Sequence, residues 1–278
     1  MFHTKLSITC PSDFRELLMA EIAEAGFETF METDEGFEAY VEMENFDKEE
    51  VHAVIGKYDE QTPVTFSYDR IEKQNWNEAW EKSYEPIMVE DQCLIRASFH
   101  QIEKKFPYEI IITPKMSFGT GHHQTTYLMV KNQLSIDHKE KRVMDAGCGT
   151  AILSVMACKR GAAEVEAFDI DEWSIVNGNE NAEVNGCTKI HIQQGKLSDF
   201  EFEGHFDLIL ANINKNVLLD EIKLYQKYLP LGGLLLLSGF FTEDIEDLKI
   251  EAAIYHLNEV RRDEKENWAS LLLVKNAS

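Results

Sequence analysis

Along the first 70 residues the apolar positions switch repeatedly between two periods. Lys5 to Cys10 alternates with period two, as an edge strand does. From Asp13 the apolar residues Phe14, Leu17, Leu18 and Ile22 recur at helical spacing, and Gly26 closes the segment. Phe27 to Met31 and Phe37 to Met43 flank the polar Thr33-Asp34-Glu35-Gly36, which predicts a hairpin. Asp47 opens a second short helix with Val51, Val54 and Ile55 inward, and Val64 to Tyr68 supplies a last strand. The order βαββαβ predicts a small ferredoxin-like α+β domain over residues 1–70.

Residues 71–85 read as a linker helix in which Trp76, Trp80 and Tyr84 recur every four residues, so that one face is aromatic. From Pro86 the pattern changes to strands alternating with helices. The clearest strands are Arg142 to Ala146, Glu164 to Asp169, Phe206 to Ala211 and Gly233 to Ser238, with helices over Ile152 to Arg160 and Ser174 to Asn185. That alternation predicts a doubly wound, mostly parallel α/β sheet over residues 86–278.

The chemistry is concentrated at the ends of these strands. Asp145-Ala146-Gly147-Cys148-Gly149-Thr150-Ala151 lies between an apolar strand and a helix, where glycines let backbone approach a ligand. Asp169, at the end of the next strand, can accept both ribose hydroxyls of a nucleoside cofactor. Ile152 stands at the third glycine position of a dinucleotide fingerprint, and the acid Asp145 suits an ammonium better than a pyrophosphate. Both points favour S-adenosylmethionine over a nicotinamide dinucleotide. Asn212 ends the strand Phe206 to Ala211 with a carbonyl acceptor and an amide donor, able to hold a nucleophilic amine. The loop Met116 to Thr126 adds adjacent imidazoles and hydroxyls, with His122 or His123 a candidate proton acceptor. No HxxxH or HExxH spacing occurs, so no metal site is expected.

Charge narrows the partners. Of the formal net charge of −23, residues 1–70 carry −12, from 17 acids against 5 bases. Such a field repels a phosphate backbone and attracts a basic protein, so no direct nucleic-acid binding is expected. Five scattered cysteines without a CxxC pair fit reduced thiols in the cytoplasm. Neither a basic start followed by an apolar stretch nor a run of about 18 apolar residues occurs, so neither a signal peptide nor a membrane partner is expected.

In their order, the small N-terminal domain, the Trp-rich linker, SFGTGHHQTT, DAGCGTAILS, AFDID with NENAEVNG after it, and DLILANI resemble the bacterial PrmA family, methyltransferases of protein eleven of the large ribosomal subunit. The resemblance implies cofactor contacts at Thr126, Gly147, Asp169 and Asn212; Asp145 and Gly149 complete the expected cofactor set, and Asn212 and His123 the expected catalytic one. It also implies methylation of lysine and N-terminal amines on that ribosomal protein, docked by the N-terminal domain. The family usually has Thr and Pro where His122 and Gln124 stand, and a third glycine where Ala151 stands. Two rivals differ in class. A nucleic-acid adenine methyltransferase would follow the Asn with Pro-Pro and an aromatic, whereas Ile213-Asn214-Lys215 follow here. A non-enzymatic acidic module that binds a ribosomal protein would need no cofactor site.

Overall fold

The computed structural model describes residues 2–27, 29–33, 35–58, 62–72, 85–113, 119 and 121–277. The chain divides into two compact units, Met1–Ser83 and Tyr84–Ser278.

In the first unit the strands β1 (Phe2–Thr9), β2 (Thr29–Thr33), β3 (Gly36–Glu42) and β4 (Thr65–Glu72) form an antiparallel sheet in the order β2-β3-β1-β4. Helices α1 (Ser12–Glu24) and α2 (Lys48–Gly56) pack with it. This is the ferredoxin-like arrangement. Period-two patterning decides the buried face: Leu6 and Ile8 of β1 join Phe37, Ala39 and Val41 of β3, against Leu18 and Ile22 of α1 and Val51, Val54 and Ile55 of α2. Asp47 caps α2 by accepting from the Glu49 and Glu50 amides at 2.9 and 3.3 Å. Gly26, at φ +89°, takes the left-handed turn after α1.

The second unit begins with a three-stranded sheet that the strand-helix alternation does not predict. It consists of β5 (Ile87–Val89), β6 (Cys93–Arg96) and β7 (Tyr108–Ile111). The elements that follow are α3 (Gln124–Gln133), β8 (Arg142–Ala146), α4 (Ile152–Lys159), β9 (Glu164–Asp169), α5 (Glu172–Val184), β10 (Ile190–Gln194), β11 (Leu208–Asn212), α6 (Lys215–Tyr228), β12 (Leu234–Phe241), α7 (Ile245–Ile254), β13 (Leu257–Lys265) and β14 (Trp268–Lys275). Their seven-stranded sheet runs β10-β9-β8-β11-β12-β14-β13, parallel except for β14, which is antiparallel to both its neighbours. The expected mostly parallel α/β sheet is therefore present, closed by an antiparallel hairpin.

Neighbouring residues on one strand feed different cores. Val143, Leu208, Leu210, Leu236 and Leu272 join one apolar cluster, and Met144, Ile209, Ala211, Leu235 and Leu271 the other. A sheet buried on both faces needs continuous apolar strands, which is why LILA and LLLL carry no polar alternation. The chain visits β8, β9 and β10 on one side and then crosses to β11 on the other. The switch point between β8 and β11 opens a crevice at their carboxyl ends.

The linker helix with its Trp76, Trp80 and Tyr84 stripe lies outside the described residues, apart from Ile71 and Glu72 in β4 and Glu85. Residues 114–118 and 120 of the histidine-bearing loop also lie outside them.

Candidate functional site

The crevice is floored by the turn that leaves β8. Gly147 and Gly149 adopt φ +67° and +52°, and a methyl group on Gly147 would lie 2.3 Å from the Ile213 side chain. The Gly147 and Cys148 amides donate to the Phe168 carbonyl at 2.9 and 3.0 Å, tying the turn to the end of β9. Ala151 sits in the left-handed region at φ +58°, where a third glycine would be relaxed. Its methyl costs about 1 to 2 kcal/mol of backbone strain and leaves the turn intact.

Asp169 faces this turn. Its Oδ2 accepts from the Gly149 amide at 2.9 Å and its Oδ1 from the Asp171 amide at 3.0 Å. A carboxylate has about four lone-pair positions, so each oxygen keeps one for a further donor, such as a pair of vicinal hydroxyls. Asn212 ends β11 on the opposite side of the switch point. Its Oδ1 is buried and has no hydrogen-bond partner among the described residues. A buried carbonyl left in that state is destabilising unless a ligand donates to it.

Between them lies a cavity of about 580 Å³, within the range of small-molecule sites. His123, Gly147, Gly149, Asp169 and Asn212 all stand on its wall. Thr126 and Asp145 do not. Thr126 is fully buried with its hydroxyl unpartnered among the described residues, while its neighbour Thr125 lines the cavity. Asp145 is also fully buried; its Oδ2 accepts from the Ser154 amide at 3.0 Å and the Ser154 hydroxyl at 2.6 Å. Burial pushes this carboxyl up to about 7, against the opposing Ser154 bonds. The acid thus ties the first turn of α4 to β8 through Oδ2, while its Oδ1 is buried with no hydrogen-bond partner among the described residues.

His123 is the N-cap of α3. Its Nδ1 accepts from the Thr125 amide at 3.3 Å and lies 2.7 Å from the Thr125 hydroxyl. Burial lowers the imidazole from its ordinary value, so the ring is neutral at pH 7 with its proton on Nε2. With the Nδ1 lone pair already engaged, the ring is badly placed to take a proton from a substrate.

Several wall residues were not among the expected set. Phe168, Ile170 and Val217 supply apolar surface fit for a flat base, and Trp268, the first residue of β14, closes one side. Its ring packs on His123 at 4.6 Å and on Phe241 at 4.2 Å. Gly239 is the second hidden element: at φ +96°, it brings β12 so close that a methyl there would lie 2.2 Å from the Ile213 carbonyl. Gly147 and Gly239 together clamp Ile213, and through it Asn212. A glycine inside an apolar strand was the signal available for it. Trp268 had none, because only the fold brings the C-terminal hairpin to this site. Among the described residues, no group of three His, Cys, Asp or Glu side chains is placed to hold a metal.

A sequence model of the family described as ribosomal protein L11 methyltransferase (PrmA) matches residues 13–276. A ribosomal protein L11 methyltransferase of Porphyromonas gingivalis is 44% identical over 262 residues, covering 92% of this chain and 89% of that one. The protein of the same name from Bacteroides fragilis is 39% identical over 267 residues, covering 95% of each. Among solved structures, the ribosomal protein L11 methylase of Lactobacillus delbrueckii subsp. bulgaricus superposes with a TM-score of 0.64 at 29% identity, over 70% of this chain and all of that one. A methyltransferase of Pyrococcus furiosus, at TM-score 0.51 and 17% identity, shares the fold.

Proposed function

The chain belongs to the ribosomal protein L11 methyltransferase family, and from that premise we propose that it moves methyl groups from S-adenosylmethionine to lysine and N-terminal amines of that ribosomal protein, in the cytoplasm. The observation that carries this reading is the unpartnered, buried Asn212 Oδ1 on the cavity wall opposite the Asp169 carboxylate.

The wall fits the cofactor. Asp169 keeps acceptors for the ribose hydroxyls, Phe168 and Ile170 offer faces for the adenine, and the Gly147 turn leaves room for the methionine end. When bound, S-adenosylmethionine supplies an activated methyl group, so little covalent help is asked of the protein. The chain must instead align and neutralise the amine.

A lysine amine has a pKa of about 10.4 in water, and only its neutral form attacks. An apolar cavity penalises the ammonium and lowers that value. Asn212 Oδ1 then accepts one amine N–H and turns the lone pair toward the methyl group. The departing proton passes to water, and His123 acts as a cap and as a flank for Trp268. The acidic N-terminal unit serves as the docking module for the basic substrate.

Asn212→Ala tests the assignment. Orientation matters most in the transition state, so turnover should fall about 10- to 100-fold while the dissociation constant for S-adenosylmethionine changes less than about threefold. Lost cofactor affinity with unchanged turnover at saturation would make Asn212 a cofactor ligand only.

A further inference from the structure

Two acids stand on the described wall of the cavity at the switch point, Asp169 and Glu221. The sheet order sorts that wall into two ends. Asn212, Gly239 and Trp268 belong to β11, β12 and β14 on one side of the switch point, while Phe168, Ile170 and Lys196 lie at or just past the ends of β9 and β10 on the other. Glu221 comes from α6, seven residues beyond the Asn214 cap and so about 10 Å along the helix from its start beside Asn212. Helix α6 packs against the short 3-10 turn Leu197–Asp199 that follows β10. Val217, one helical turn before Glu221, lines the same cavity. The acid therefore belongs to the end of the cavity formed by the β9 and β10 residues.

Its surroundings fix this carboxylate without satisfying it. The hydroxyl of Tyr225, fully buried one turn further along α6, donates to Oε2. Among the described residues Oε1 accepts no hydrogen bond, and no cation lies within ion-pair range of the group. Burial raises the carboxyl above its ordinary value, against the opposing Tyr225 hydrogen bond. A buried hydroxyl that holds one oxygen leaves the other as a preset acceptor, at an end of the cavity where Phe168, Ile170 and Val217 supply apolar surface.

We propose that Glu221 selects the base of the cofactor, its Oε1 accepting a hydrogen bond from the exocyclic 6-amino group of adenine. The inference rests on the S-adenosylmethionine reading of the cavity. A base carried by a ribose at Asp169 has two directions to take, and the one toward Asn212 is needed by the incoming amine. In the other direction Glu221 and Lys196 are the polar side chains on the described wall. Adenine offers N–H donors at its 6-position, whereas hypoxanthine offers a carbonyl oxygen there, which a carboxylate repels. Glu221 is thus a specificity-determining residue for the cofactor and takes no part in moving the methyl group.

Titration calorimetry of the full chain with S-adenosylhomocysteine and with its deaminated analogue S-inosylhomocysteine tests this without any turnover. The wild type should bind the adenine compound about 10- to 100-fold more tightly, the range of one hydrogen bond to a charged group. Glu221→Gln keeps an acceptor for Tyr225 and adds an amide that can donate to the hypoxanthine oxygen. The ratio should then shrink to within about threefold, chiefly through tighter binding of the inosine compound. Glu221→Ala, with no polar group at the position, should also bring the two affinities within about threefold. Survival of the wild-type ratio in either variant, even with both affinities lowered, would overturn the role of Glu221 and leave the cofactor reading standing. So would a wild type that binds both compounds equally well. Failure of the wild type to bind S-adenosylhomocysteine at all would overturn the cofactor reading and this inference together.

Discussion

Asp145 is a carboxyl with no exposure that keeps its proton up to about pH 7, because burial penalises the charged form more than Ser154 stabilises it. Its folded value lies above its unfolded one near 3.8, so its contribution to stability is complete below that value and is lost as pH rises through 7. The loss amounts to a few kcal/mol, by order of magnitude. Asp145→Asn keeps an acceptor for Ser154 and removes the titration. Thermal melts from pH 5 to pH 8 should therefore show the wild type losing ground to this variant as pH rises, and parallel curves would show that the carboxyl is ionised throughout. At this scale the strand-end position of Asp169 is legible in the sequence alone, and the structure puts the residue on the cavity wall. Less legible are the structural contacts of Asp145 and His123. Their side chains accept hydrogen bonds from Ser154 in α4 and Thr125 in α3, partners that no periodicity in the sequence announces.

At the scale of elements, the close approach of β12 to the loop after β11 sets the position of Asn212. Gly239→Ala would force a methyl to 2.2 Å from the Ile213 carbonyl at a φ of +96°, combining overpacking with backbone strain. Each contributes about 1 to 3 kcal/mol. Gly232 has a similar φ of +80° but open space around it, so Gly232→Ala should lose the backbone part alone. Urea unfolding of the two variants should differ by about 1 to 3 kcal/mol, with Gly239→Ala the weaker; equal midpoints would mean that the β12 approach is not tight. The strands flanking the site were legible because a sheet buried on both faces demands unbroken apolar runs, and β8 and β9 fall on their expected bounds. Strand β13 was not, since Arg261, Arg262, Asp263 and Glu264 interrupt any apolar pattern. They are instead the charged edge that keeps a sheet from pairing further. The three- and four-residue strands β5, β6 and β7 are too short for a period to register.

At the scale of the whole molecule the proposed function assigns docking to the first unit and methyl transfer to the second. Every wall residue of the cavity at the switch point belongs to the second unit, which has its own two-faced core, while residues 1–70 carry 17 acids against 5 bases. Removing residues 1–70 should leave S-adenosylmethionine affinity within about threefold and reduce kcat/KM for the ribosomal protein by at least about tenfold. For the full chain, kcat/KM should fall as salt shortens the Debye length from about 10 Å at 0.1 M to about 3 Å at 1 M. Equal efficiency of the truncated enzyme would return the acidic surface to a plain solvated face. The central claim is that the Asp169 and Asn212 cavity methylates amines of ribosomal protein L11, and intact mass with peptide mapping of that protein, after incubation with the full chain and S-adenosylmethionine, tests it most directly. Whole-methyl mass increments confined to lysine and N-terminal amines, and sharply reduced with Asn212→Ala, are the predicted result; an unmodified ribosomal protein in the presence of enzyme that demonstrably binds S-adenosylmethionine would contradict it.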